Sequence, residues 1–192
     1  MPPLVLASSS PYRRELLARL RLPFDWEAPA IDESARPGES PQALVERLAE
    51  QKARALADRY PNHLIIGSDQ VAVLDNQIIG KPHDLARAHA QLTTASGRSL
   101  TFLTGLALLD SASGRCQVDC IAFTVHFRQL DAHRITRYLL AEQPFDCAGS
   151  FKAEGLGVSL FRATEGTDAT SLIGLPLIRL VDMLLAEGAD IP

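Results

Sequence analysis

Two long runs rich in β-branched and aromatic residues, 101–109 and 117–130, stand on either side of the turn Ser111-Ala112-Ser113-Gly114. Runs of that kind joined by a short glycine-containing turn form an antiparallel hairpin. Around this hairpin, short apolar runs alternate with amphipathic stretches. Residues 4–7 and 64–68 read as strands, and 71–79 as a second hairpin turning at Asp75-Asn76. Helices are expected over 11–21, 41–59, 84–96, 131–142 and 175–187. The first opens with a serine cap and Pro11, and the last stops at Gly188. Alternating elements with an antiparallel hairpin among them predict an α/β fold, a mixed sheet with flanking helices. The 192 residues suit a single domain spanning 1–192, or two intimately packed lobes, with a core that needs no disulfide or metal. Residues 28–41, rich in Pro, Ser, Asp and Glu, read as a long functional loop rather than a domain boundary.

Several function classes drop out. A net charge of −4 argues against a surface that coats nucleic-acid phosphates, while leaving room for a small local anion site. No apolar run approaches the roughly 20 residues that span a bilayer. Residues 1–6 are too short for a signal peptide, and Arg13 and Arg14 follow them rather than precede them. Cys116, Cys120 and Cys147 form no CxxC pair, which fits a reducing cytoplasm. A homodimer is compatible with the composition, although no one-dimensional pattern locates its face.

Five segments break local rules. Arg13 and Arg14 lie in a first helical turn, where cations oppose the macrodipole by about 0.3–1 kcal/mol each. Either both bend into water, or an anion docks at that helix start. Lys52 falls inside the apolar stripe of Leu44, Val45, Leu48 and Leu56, so it either snorkels outward or has a buried partner. Gly67-Ser68-Asp69-Gln70 interrupts two apolar runs, so Asp69 is either a turn aspartate or a site residue; a turn would more naturally use Asp75-Asn76, which favours the site. Gly80-Lys81-Pro82 holds a lysine on a tight segment. Residues 147–157 carry Lys152, Glu154 and three glycines, without a Walker A or GxGxxG pattern. All three lysines occur in these segments, in a chain that otherwise uses arginine, sixteen in all, for its positive charge. A lysine is a compact point charge suited to single phosphate oxygens, so the pattern points to a polyphosphate site with acidic metal ligands. There is no HExxH, GxSxG or zinc-spaced cysteine set, and the five histidines show no pairing.

Ser8-Ser9-Ser10-Pro11-Tyr12-Arg13-Arg14-Glu15-Leu16-Leu17, Gly67-Ser68-Asp69-Gln70-Val71, Gly80-Lys81-Pro82, Thr104-Gly105, Ala148-Gly149-Ser150-Phe151-Lys152 and Leu172-Ile173-Gly174-Leu175-Pro176 together resemble the Maf family of nucleoside triphosphate pyrophosphatases. The resemblance implies an elongated fold similar to the inosine-triphosphatase family, with a cleft between two lobes. It implies cleavage of a nucleoside triphosphate between its α and β phosphates, with a divalent metal such as Mg²⁺ or Mn²⁺. By the same resemblance Asp69 is the catalytic proton acceptor, Glu33 binds metal, and Ser8, Arg13, Lys52 and Lys81 bind phosphate. A carboxylate at Asp69 can serve as a metal ligand as well as a proton acceptor, and the sequence does not separate the two roles.

Tyr12, Gln70 and Glu154 match the positions that read the base. An aromatic before Arg-Arg together with Gly-Ser-Asp-Gln looks like the 7-methyl-GTP branch. N7-methylation makes guanine a cation, which an aromatic face attracts and a carboxylate complements. Tyr12 departs from the tryptophan expected there and stacks less strongly. The alternatives are the same reaction on UTP or dTTP, and a nucleotide-binding regulator of cell division.

Overall fold

Leu4, Val5, Leu6 and Ala7 are all buried, as a strand covered on both faces requires. This is β1 (Leu4–Ala7) of a computed structural model that describes residues 1–192. It is followed by α1 (Pro11–Ala18), β2 (Phe24–Glu27), α2 (Pro41–Arg54), β3 (Leu64–Leu74), β4 (Gln77–Ile79) and α3 (Leu85–Ala95). Then come β5 (Ser99–Asp110), β6 (Cys116–Phe127), α4 (Ala132–Glu142), β7 (Phe161–Gly166), α5 (Ala169–Ile173) and α6 (Leu177–Ala186), with 3₁₀ turns at Ala148–Ser150 and Leu156–Leu160. The seven strands hydrogen-bond in the order β2-β1-β3-β5-β6-β7, with β4 paired to β3. β1 is parallel to β2 and β3, whereas β3–β4 and β6–β7 are antiparallel. The sheet is mixed and flanked by helices, as expected. No helix is long and apolar enough to cross a membrane.

The chain forms two compact units. One comprises Met1–Gln70, Leu103–Ile121 and Asp168–Pro192, the other Val71–Phe102 and Ala122–Thr167. In the first unit, side chains of β3 alternate with period two. Leu64 and Ile66 join Leu16 and Leu17 of α1 and Leu180, Met183 and Leu184 of α6. Ile65 turns the other way, onto Ala49 and Ala53 of α2. Two glycines set how closely α2 lies on the sheet. A Cβ on Gly67 would come 2.0 Å from the Ala49 carbonyl oxygen, and one on Gly105 2.1 Å from that of Val45. Only a residue without a side chain fits at either point.

In the second unit, Phe102, Phe127, Phe151 and Phe161 pack edge-to-face with centroids 4.8–5.7 Å apart. Asp84 and Asp131 cap α3 and α4, accepting from the amides of Arg87 and Arg134. Asp75 and Asn76 both take positive φ, the two-residue hairpin turn expected between β3 and β4.

Several boundaries differ from expectation. β3 runs unbroken through Gly67-Ser68-Asp69-Gln70. The polar residues do not end the strand, because its backbone ladder is indifferent to side chains that each have a partner. α1 stops at Ala18 rather than 21, and α2 at Arg54 rather than 59; tighter turns follow both. α6 begins at Leu177, after Pro176, and ends at Ala186. β2 and β7 carry no sequence signal: both lie at the ends of the strand order, and β7 exposes every residue but Phe161.

Candidate active site

Pairing of β1 with β3 ends at Ala7↔Gly67. Beyond that point the chain after β1 turns through Ser8–Ser10 into α1, while β3 continues as Ser68, Asp69 and Gln70. Carboxyl ends of parallel strands are where open α/β sheets bind ligands. Ser8, Ser68 and Asp69 are all buried there.

The period of β3 sends Asp69 to the α2 face. Lys52, three residues after Ala49 and so on the same helix face, meets it. Its Nζ donates to Asp69 Oδ1 at 2.6 Å and lies 3.0 Å from Glu33 Oε1. Lys52 does not snorkel: it is only 6% exposed, and the two carboxylates are its buried-charge partners. Glu33 arrives from the loop before α2 and is largely exposed. That loop is tied down by Arg47, which grips Glu39 with both arms at 2.6 and 2.7 Å and donates to the Ser34 carbonyl at 3.0 Å. The Arg47 contact, helped by the Arg36 amide, holds the Glu39 carboxyl down to about 2.

Ser68 and Gln70 point to the opposite face. Ser68 Oγ and Arg13 Nε both donate to the Gly174 carbonyl, at 3.0 and 2.8 Å. Arg13 Nη1 also reaches Ser8 Oγ at 3.5 Å. Burial pulls the Arg13 guanidinium below the usual arginine range, and the charges of Asp69 and Glu33 push back. Gln70 Nε2 donates to the Ser171 carbonyl at 2.7 Å and to Thr104 Oγ1 at 3.0 Å. Tyr12 is half-buried in the first turn of α1. Of the two arginines expected to bend outward or meet an anion, Arg13 turns inward and Arg14 stacks over Trp26, 3.9 Å from the ring centroid. The structure therefore gathers Ser8, Arg13, Glu33, Lys52, Asp69 and Gln70 within the first unit.

Lys81, Lys152 and Glu154 belong to the second unit. Lys81 and Glu154 are exposed. Lys152 Nζ donates to the Glu142 carbonyl at 3.3 Å, and its amide to the Tyr138 hydroxyl at 3.0 Å. The three glycines of this loop serve local packing. Gly149 has φ +75°, and Cβ atoms on Gly155 and Gly157 would strike the Glu142 carboxylate and the Lys152 carbonyl. Burial raises the Cys147 thiol to about 12 and those of Cys116 and Cys120 to about 11, so none is a ready nucleophile.

No cluster of three or more His, Cys, Asp or Glu is arranged to hold a metal ion. Glu33 and Asp69 are the pair that converges, on one ammonium. Two carboxylates fit a hard cation such as Mg²⁺, which binds through one or two of them and completes its shell with phosphates and water.

The model of the Maf-like protein family matches residues 3–187. The chain belongs to this family. It is 73% identical over 192 residues to the 7-methyl-GTP pyrophosphatase of Pseudomonas syringae pv. tomato, covering all of both chains. It is 72% identical, again over the full length of both, to the protein of that name from Pseudomonas aeruginosa. Among solved structures, a HAM1 protein from Coxiella burnetii aligns with 97% of this chain and 100% of its own, at a TM-score of 0.51 and 14% identity. That likeness bears on the fold alone.

Two residues that position parts of the candidate site escaped the sequence reading. Arg47 looks like one charge among Glu46, Glu50 and Arg54 on a solvated helix face, yet it anchors the loop carrying Glu33. Asp168 is 3% exposed: its Oδ1 accepts from the Thr170 amide and hydroxyl, and its Oδ2 from the Ile178 amide. It caps α5 and α6 at once and so frames the Ser171–Gly174 carbonyls used by Gln70, Ser68 and Arg13. An aspartate two residues before a threonine pattern is common, and nothing one-dimensional marks this one.

Proposed function

We propose that this chain is a nucleoside triphosphate pyrophosphatase that hydrolyses 7-methyl-GTP to 7-methyl-GMP and diphosphate in the cytoplasm, assisted by Mg²⁺ or Mn²⁺. The observation that carries the reading is Lys52 of α2, buried between Asp69 and Glu33 where β3 runs on past its pairing with β1. A structural lysine has no need of two carboxylates, whereas phosphoryl chemistry needs a base, acidic metal ligands and a cation together. The names of the full-length relatives support the substrate.

In this reading Asp69 accepts a proton from the water whose oxygen bonds to the α-phosphorus, and the bond to the bridging oxygen breaks to release diphosphate. Lys52, on Oδ1, fixes the orientation of that carboxylate. Glu33 and Asp69 would hold the metal, which when bound neutralises phosphate charge. Ser8, Arg13, Lys52 and Lys81 serve the phosphates. Tyr12 stacks on the cationic base and Glu154 accepts from its N–H groups. Gln70 already spends its amide nitrogen within the protein, so its part in base reading falls to Oε1.

Diphosphate release from 7-methyl-GTP, GTP, UTP and dTTP tests this. We expect preference for 7-methyl-GTP and, in Asp69→Asn, turnover lower by about 10²–10⁴-fold with nucleotide still bound. Preference for UTP or dTTP would overturn the base assignment. Nucleotide binding without any diphosphate release would favour a regulator instead.

A further inference from the structure

Gln91 lies in the middle of α3, on an element to which the proposed reaction gives no role. Its amide nevertheless joins the two lysine-bearing segments of the second unit. Nε2 donates to the Gly80 carbonyl at 3.1 Å, and Oε1 accepts from Ser150 Oγ at 2.5 Å. Chemistry dictates this orientation, because a carbonyl only accepts and must face the NH₂ group, leaving Oε1 for the hydroxyl.

Each end of the bridge lies beside a residue of interest. Gly80 precedes Lys81, and the amide of His83 donates to the Phe145 carbonyl at 3.0 Å, so the Lys81 backbone is held before and after. Ser150 is fully buried and adopts φ +62°, a conformation that a side-chain-bearing residue keeps only when its surroundings impose it. Phe151 then enters the aromatic cluster and Lys152 reaches Tyr138. Gln91 also borders a cavity of about 170 Å³ with Leu74, Ile79, Leu100 and Gly149, which offers few substitute polar partners.

We propose that Gln91 is a positioning residue that locks the Lys81 segment and the loop carrying Lys152 and Glu154 into one register for nucleotide binding. This rests on the phosphate role of Lys81 proposed above. Gln91 touches no substrate atom and acts through the backbones it holds. Gln91→Leu removes both hydrogen bonds. Gln91→Glu keeps the acceptor for Ser150 but turns a carboxylate toward the Gly80 carbonyl.

The test is steady-state kinetics with 7-methyl-GTP on Gln91→Leu, Gln91→Glu, Lys81→Gln and the Gln91→Leu/Lys81→Gln double variant, with thermal melts as a check on folding. A Gln91 that works through Lys81 raises KM about 10-fold in both Gln91 variants and changes kcat by less than about 3-fold, as lost binding rather than lost transition-state contact predicts. In the Lys81→Gln background Gln91→Leu then adds little further, because coupled residues are not additive. If Gln91→Leu fails to fold, Ser150→Ala removes one arm of the bridge and is expected to raise KM by a smaller factor. Unchanged KM in the folded Gln91 variants overturns the assignment. So does full multiplication of the two effects in the double variant, and in that case an impaired Lys81→Gln leaves the reading of Lys81 standing. An unimpaired Lys81→Gln refutes the phosphate role of Lys81 and this assignment with it.

Discussion

Gly67→Ala should separate Lys52 from Asp69 without touching either. The added methyl would lie 2.0 Å from the Ala49 oxygen where ordinary contact begins near 3.4 Å, a shortfall of about 1.4 Å. The atoms that the methyl strikes belong to the α2 backbone, so no side chain can swing aside and α2 must move off the sheet. Overpacking of this kind costs about 1–3 kcal/mol, and in a chain of this size each kcal/mol lowers Tm by about 2–4 °C. The same retreat carries Lys52, one helical turn beyond Ala49, away from Asp69 Oδ1, now 2.6 Å distant. A misplacement of about 1 Å in a catalytic group costs about 10²-fold in rate. The assays are a thermal melt and diphosphate release from 7-methyl-GTP well below the lowered Tm. Gly105→Ala, aimed at Val45 on the same helix, should show a similar loss of stability. If Gly67→Ala melts and turns over like the parent protein, close seating of α2 is not what positions Lys52. Reduced stability with full turnover would refute the link between seating and catalysis.

Asp168→Ala should lower stability by about 2–3 kcal/mol in urea unfolding, because two helix starts lose a cap and buried donors lose their acceptor; an unchanged midpoint would show that water replaces it without cost. Glu39 titrates near 2 in the folded chain against 4.5 ordinarily, so its tie to Arg47 is fully present above about pH 4.5 and is lost as pH falls toward 2. Glu39→Gln should therefore flatten stability against pH across that acid window and leave the slope above it unchanged, as melts at stepped pH will read. Glu154→Gln should reduce the preference for 7-methyl-GTP over GTP by about 10-fold, since a charge-assisted contact to the cationic base becomes a neutral one. An unaltered substrate ratio would remove Glu154 from base reading.

The residues that break local rules were the legible part of the site. A lysine inside the apolar stripe of an amphipathic helix demands a partner, and Lys52 has two. A carboxylate amid strand residues also demands a partner, and Asp69, just past the point where β1 stops and β3 goes on, has Lys52. Arg47, Asp168 and Gln91 were invisible for a common reason: each is polar, on or beside a helix, and ordinary in composition. Their significance comes from contacts 8 to 59 residues away along the chain. The end strands β2 and β7 were missed because strands with little buried surface carry no periodic apolar signal.

Local chemistry along the chain was enough to determine the helix starts at Ser10, Ser40, Asp84 and Asp131, the Asp75-Asn76 turn, the long hairpin and the mixed α/β class. Caps, turn residues and apolar periods act over a few residues, so they can be read in one dimension. Only the tertiary structure decided that Lys52 meets Asp69 and Glu33 together, that Arg13 turns inward to the Gly174 carbonyl, and that the three glycines of the 147–157 loop serve packing. Those outcomes depend on how near α2 comes to β3 and on which distant carbonyls and carboxylates each buried donor finds. Burial forces every such group to find a partner, and only the packed chain decides which one it is.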